Sequence, residues 1–214
     1  MAPISRKPRV KICGITRVED AYAAVNAGVH ALGFIFHSGS PRYVTPEEAG
    51  SIIDGLPPFV TSVGVFVNRS KAEIEEVVSA TGLHTIQLHG HESPGDCKGY
   101  SRPVIKAIRL AAGDPLPELT AYPVAGLLVE PEISRAWGGT GTSLDWERLK
   151  QDLDTHAPNV RSRLVLAGGL DPQNVAVAAS IVRPYAVDVS TGVEDAPGIK
   201  NHEKIKEFMN ALYG

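Results

Sequence analysis

Cysteine is scarce in this 214-residue chain: there are two, Cys13 and Cys97, too few for a disulfide framework. No apolar run approaches the ~18 residues needed to span a bilayer. The basic stretch 1–9 is not followed by an apolar segment of signal-peptide length. Positive charge is not in excess either, with 21 Lys+Arg against 24 Asp+Glu for a net charge of −3. No Lys/Arg cluster is long enough to bind nucleic acid or an anionic membrane. His-Glu-x-x-His and paired-cysteine metal motifs are missing, as are low-complexity tracts and interior linkers. What remains is ordinary globular composition, 43% hydrophobic and 21% charged. It reads as a cytoplasmic enzyme forming a single domain over 1–214, with no nucleic-acid or membrane partner.

What is present is an alternation. Short, mostly apolar runs occur at 10–12, 31–36, 62–67, 85–88, 104–108, 125–129, 164–167 and 186–190, as expected of parallel strands buried on both faces. Between them lie stretches with helical spacing. Three open with a hydroxyl and a glutamate three residues later (Thr16/Glu19, Thr45/Glu48, Ser70/Glu73), the pattern of a capping box. Pro46 suits a first helical position, and Gly28, Gly55 and Gly82 suit helix C-caps. Cys97 falls on the expected fourth helix, and a fifth must fit between Leu116 and Tyr122. Eight strands at about 27 residues per unit fit an α/β, closed parallel (β/α)8 barrel better than an open sheet.

Such a barrel carries its active site on the loops after the strands. The residues so placed are Cys13 and Gly14, 37–42 with Arg42, Asn68, His89–Gly90–His91, the long loop 130–141, Gly168 and Gly169, and Thr191 and Gly192. Glycines after the last two strands let backbone N–H groups approach an anion, with a short helix N-terminus adding a favourable dipole. The alternative is a tight turn, with Pro172 starting the next helix. Cys13 is either a general base, if nearby donors lower its pKa toward neutrality, or a buried structural thiol. Arg42 is either a fork around a carboxylate or a solvated loop residue. His89 and His91, with His84 and His37 elsewhere, do not have the spacing of a zinc site.

In order and spacing, several motifs together resemble the phosphoribosylanthranilate isomerases, barrel enzymes of tryptophan biosynthesis. They are Lys11-Ile12-Cys13-Gly14-Ile15-Thr16, Gly33-Phe34-Ile35-Phe36 with Ser40-Pro41-Arg42-Tyr43, Val63-Gly64-Val65-Phe66-Val67-Asn68 and Gln87-Leu88-His89-Gly90. Further along come Gly138-Gly139-Thr140-Gly141, Leu144-Asp145-Trp146, Ala167-Gly168-Gly169-Leu170 and the run from Val187-Asp188 to Val193-Glu194. The resemblance covers essentially the whole chain. It implies a TIM barrel catalysing an Amadori (aldose–ketose) rearrangement of a small phosphoribosyl substrate, with no cofactor, metal or obligate protein partner. It also implies Cys13 as general base and Arg42 as the holder of the substrate carboxylate. Gly168, Gly169, Thr191 and Gly192 are implied as the phosphate grip, and His89, Gly141 and Asp188 as further contacts.

One departure stands out. The family's general-acid aspartate at the end of the sixth strand has no direct counterpart in Leu127-Leu128-Val129-Glu130-Pro131-Glu132. Paired leucines as the register put Val129 there; a slip of one puts Glu130 there. Glu130 is the expected acid, ahead of Glu132 and Asp145. To be protonated near neutrality its pKa has to be raised by burial or by the substrate's charge. Were the acid lost, the chain would be a degenerate phosphosugar-binding barrel. The other alternative is a second activity on a histidine-pathway substrate, though Cys13 and the loop after the third strand argue against it.

Overall fold

The apolar runs form β1 (Arg9–Cys13), β2 (Ala31–Ile35), β3 (Thr61–Phe66), β4 (Thr85–Leu88), β5 (Val104–Leu110), β6 (Gly126–Pro131), β7 (Leu164–Leu166) and β8 (Ala186–Val189). They pair in parallel in chain order, and β8 returns to β1, closing the barrel. The computed structural model describes residues 7–111, 113–132 and 144–214. Six α-helices pack around the barrel among these: α1 (Val18–Asn26), α2 (Pro46–Asp54), α3 (Lys71–Thr81), α4 (Trp146–His156), α5 (Val175–Val182) and α6 (His202–Tyr213). A small antiparallel hairpin, β9 (Glu194–Ala196) and β10 (Ile199–Lys200), precedes α6.

Helix and strand periodicities meet in one outer core. In α6 the buried residues Ile205, Phe208, Met209 and Leu212 recur every three or four positions, making the apolar stripe of a surface helix. In the strands, alternate residues such as Ile12, Leu32, Phe34, Ile86, Leu88, Leu127 and Val129 face these helices. The intervening positions point into the barrel, where Ala107, Leu128, Val165, Ala167 and Ala186 form a separate, smaller cluster.

The expected helix starts hold at two places and fail at one. Thr45/Glu48 and Ser70/Glu73 are complete capping boxes on α2 and α3. At α1 the N-cap is Arg17, without a side-chain cap. The Thr16 hydroxyl instead donates to the Gly198 carbonyl at 2.6 Å, and Glu19 is taken by Arg17. At the helix ends, Gly82 and Gly28 have positive φ, whereas Gly55 remains right-handed.

No helix joins β4 to β5. Pro94, Gly95, Gly99 and Pro103 interrupt that stretch, and Cys97 is buried among turns. After β5, among the described residues, a single 3-10 turn forms over Leu119–Ala121. Pro172 lies in a turn ahead of α5 rather than opening it. Asn201 caps α6, its Oδ1 accepting from the Lys204 N–H.

These caps carry a stability prediction. Ser70→Ala removes a side-chain acceptor and costs about 1 kcal/mol, read as a lower urea midpoint. Glu19→Ala, which completes no capping box but removes a first-turn carboxylate paired with Arg17, lowers the midpoint by less. A comparable loss at Glu19 would mean that Thr16/Glu19 does cap α1 in solution.

Candidate active site

The interior of a closed barrel is a packed core, so polar residues on its inner face need a reason. At the carboxyl end of the strands the inner positions carry Lys11 and Cys13 on β1, Gln87 on β4 with His89 just beyond it, Arg109 on β5, Glu130 on β6 and Asp188 on β8. They form two bonded sets, Lys11 with Asp188 beside Cys13, and Gln87, His89, Glu130 and Arg109.

On β6, Leu127 and Val129 belong to the outer core and Leu128 to the inner cluster. Because side chains alternate along a strand, Glu130 shares the inner face of Leu128. The register question therefore resolves: Val129 faces the helices, and the carboxylate at the mouth is Glu130. Its Oε1 is 2.7 Å from His89 Nε2 and 3.4 Å from Arg109 Nε; Arg109 is its register partner on β5. Burial pushes the Glu130 carboxyl up, but the hydrogen bond from His89, with the charge of Arg109, outweighs it and holds the group below the ordinary glutamate range. This corrects the expectation of a raised pKa in the protein alone. Glu132 lies along a different cavity of about 350 Å³, shared with Gly90, His91, Lys106 and Arg109. Asp145 caps α4 by accepting from the Arg148 N–H.

Cys13 is 8% exposed and sits beside Gly33, its register partner on β2. A Cβ at Gly33 would come within 2.8 Å of the sulfur, so glycine there makes room for the thiol. Lys11 donates to Asp188 at 2.9 Å, and the two are register partners across β1 and β8. Burial lowers the Lys11 pKa, but Asp188 and Cys13 carry it back up to about 12. Burial also pushes the Cys13 thiol above its ordinary value, with Lys11 opposing and Asp188 reinforcing the rise. Nearby donors therefore do not bring it toward neutrality in the ligand-free protein. Asp188 feels the charges of Lys11, Glu130 and His89 together, which ties both sides of the mouth electrostatically.

Arg42 is not a solvated loop arginine. Its Nε reaches both Glu194 carboxylate oxygens, at 2.9 and 3.1 Å, and its Nη2 reaches one at 2.6 Å. Its stem lies over Gly14, where any side chain would collide with it. Glu194 also accepts from Lys200 Nζ at 2.7 Å, and Lys200 donates to the Cys13 carbonyl at 2.6 Å. Burial pushes the Glu194 carboxyl up, yet the bonds from Arg42 and Lys200 hold it below the ordinary range. The hairpin β9–β10 thus joins the expected carboxylate-holding arginine to the backbone of the expected base.

After β7, Gly168 and Gly169 both have positive φ. A Cβ on Gly168 would run into the Pro131 ring, so only glycine fits there. After β8, Thr191 and Gly192 open a 3-10 turn, and Gly192 packs against the Leu170 carbonyl. The two loops thereby touch, as a shared anion grip requires. Gly141 lies outside the described residues. Asn68 and His91 hold the loops after β3 and β4 together, Asn68 Oδ1 accepting from the His91 N–H at 2.8 Å. The Nδ1 of His84 accepts from the Ser62 N–H at 3.1 Å at the start of β3.

Lys11, Gln87 and Glu194 stand in the motifs quoted above without a role assigned to them, and Arg109 and Lys200 do not figure there at all. Lys11, Gln87 and Arg109 carry a legible signal, a long polar side chain of inner-face parity in an apolar strand. Glu194 and Lys200 carry none, because a hairpin folded back on the barrel mouth has no local signature.

A family model described as N-(5'-phosphoribosyl)anthranilate (PRA) isomerase matches residues 10–211. The isomerase of that name from Pseudomonas fluorescens strain Pf0-1 is 52% identical over 206 residues, covering 95% of this chain and 98% of its own. Among solved structures, phosphoribosyl anthranilate isomerase from Thermus thermophilus superposes with a TM-score of 0.84 at 39% identity, covering 95% of this chain and 98% of its own. A phosphoribosyl anthranilate isomerase in complex with reduced 1-(o-carboxyphenylamino)-1-deoxyribulose 5-phosphate gives 0.77 at 39% identity, with 96% and 98% covered. With its closed barrel and the polar group at its mouth, this chain belongs to the phosphoribosylanthranilate isomerase family.

Proposed function

We propose that this chain isomerises N-(5'-phosphoribosyl)anthranilate to 1-(2-carboxyphenylamino)-1-deoxyribulose 5-phosphate in cytoplasmic tryptophan biosynthesis, within one domain and without a cofactor. The observation that carries the reading is the inner-face arrangement of a thiol on β1, beside the Lys11–Asp188 ion pair, and a carboxyl on β6 hydrogen-bonded to His89. A relative solved with the reduced form of that product has the same barrel.

Glu130, as acid, gives its proton to the furanose ring oxygen. The C1–O bond breaks toward that oxygen while the anilino nitrogen lone pair forms the C=N bond of a protonated Schiff base. Cys13, as thiolate, then takes the C2 proton. The C–H electrons become the C1=C2 double bond, and the C=N pair returns to nitrogen. The enol then loses its C2 hydroxyl proton to water and gains one at C1 to give the ketone, and proton exchange with solvent returns Cys13 and Glu130 to their reactive forms. Arg42 donates to the anthranilate carboxylate, with Glu194 fixing its plane. The N–H groups around Gly168, Gly169, Thr191 and Gly192 receive the phosphate, and His89 and Asp188 line the space between.

The free protein holds this pair in the opposite protonation state, with Glu130 ionised and Cys13 protonated. Substrate brings a carboxylate and a phosphate into the mouth, and negative charge nearby favours a protonated Glu130. Lys11 and Lys200 surround Cys13 with positive charge that favours its thiolate.

The primary test is turnover of freshly generated phosphoribosylanthranilate, followed as loss of its fluorescence. A kcat within about 1–10³ s⁻¹ is expected; binding without turnover would establish the degenerate barrel instead. Cys13→Ala lowers kcat by at least about 10²-fold with an unchanged urea midpoint. Glu130→Gln does the same while Glu132→Gln retains activity, and the reverse pattern would move the acid to Glu132.

The pH profile follows from the two shifts. Below the depressed Glu130 pKa the acid is already formed and Cys13 thiolate is still being lost. Above the raised Cys13 pKa the thiolate is complete and the Glu130 proton is being lost. Once the substrate phosphate, with a pKa of about 6, is subtracted, kcat/KM is flat through neutrality. A residual inflection there would mean that a group other than Glu130 supplies the proton.

A further inference from the structure

Gln87 precedes His89 by two residues and so faces the same way, into the barrel. It is 1% exposed. Its Nε2 is 3.0 Å from His89 Nδ1, and its Oε1 is buried without a hydrogen-bond partner among the described residues. A buried amide oxygen left without a donor is destabilising, and an apolar side chain would pack this position without that defect. The reason for an amide here therefore lies in what it does to its neighbour.

His89 has its two ring nitrogens committed in opposite directions, Nδ1 to Gln87 and Nε2 to Glu130 at 2.7 Å. In a neutral imidazole one nitrogen donates and the other accepts. With the Gln87 amide nitrogen toward the ring, Nδ1 accepts. The ring proton then sits on Nε2 and is donated to Glu130, which must be a carboxylate. Turned by half a rotation, the amide offers its oxygen. Nδ1 then carries the proton and Nε2 is a bare acceptor, which Glu130 satisfies as a protonated acid.

We propose that Gln87 is a positioning residue that, through His89, selects between the carboxylate and carboxylic-acid forms of Glu130. The proposal rests on Glu130 being the acid of the reaction. Arg109 from β5, Asp188 from β8 and Lys11 and Cys13 from β1 also bear on this pair, but among the described residues Gln87 alone hydrogen-bonds to Nδ1 of His89.

The test combines ¹⁵N NMR of the labelled His89 ring with steady-state kinetics on Gln87→Met and Gln87→Glu. In the free wild-type enzyme the ring is expected as the Nε2–H form, moving toward Nδ1–H when reduced 1-(o-carboxyphenylamino)-1-deoxyribulose 5-phosphate binds. Gln87→Met abolishes that response and lowers kcat about tenfold, with KM changed less than about twofold. Gln87→Glu places a permanent acceptor and a negative charge beside Nδ1 and moves the low-pH limb of the kcat profile upward. A Gln87→Met enzyme with wild-type ring state and pH profile overturns the proposal, as does lost activity with an unmoved profile, which is a packing defect. Glu130→Gln separates the two readings. If it is inactive while Gln87→Met is normal, the acid stands and the role of Gln87 falls. If it is fully active, the acid assignment itself falls.

Discussion

Every second residue of a strand in a closed parallel barrel points into a space with no solvent behind it, and this constraint organises the molecule. It sends Leu127 and Val129 outward to the helices and Leu128 and Glu130 inward. It also makes Lys11 and Asp188 neighbours across the seam where β8 meets β1. A buried ion pair is seldom worth more to stability than well-packed hydrophobes of the same size, while removing one partner costs about 3–5 kcal/mol. The Lys11–Asp188 pair is therefore better explained by the field it sets up around Cys13 than by its contribution to the fold.

The second tier of order comes from the hairpin that precedes α6. Lys200 reaches the Cys13 carbonyl, the Ser190 carbonyl and Glu194 at once, and its backbone N–H donates to the buried Asp20 of α1. One ammonium thus fixes the ends of β1 and β8 relative to each other. Through Glu194 it also fixes the plane of the Arg42 guanidinium, leaving that side chain little of the rotamer freedom it would otherwise lose on meeting a ligand.

All eight strands could be read from the sequence because buried parallel strands are short apolar runs with turn residues between them. Two of three capping boxes could be read because their chemistry is local. The third failed through a competitor far along the chain, the Gly198 carbonyl, which takes the Thr16 hydroxyl. The helix between β4 and β5 was over-read: a repeat that holds elsewhere does not oblige a segment containing Pro94, Gly95 and Gly99. At the site, Cys13, Arg42 and the glycine loops stood out by residue type and position. The orientation of Glu130 did not, because one residue of slip reverses a strand's faces and paired leucines do not say which of them points inward. The Arg42–Glu194–Lys200 chain is tertiary in origin and had no linear signature.

The tie between Lys200 and Cys13 spans 187 positions, and that between Lys11 and Asp188 spans 177. Contacts of such separation form late, because the loop-closure entropy must be met before they reward the chain. During synthesis, β1 therefore emerges with its thiol long before the lysine that supports it and the aspartate that balances its neighbour. The site is complete only where the last strand lies against the first. The seam that closes the barrel is thus also the place where residues from the two ends of the chain meet around one thiol.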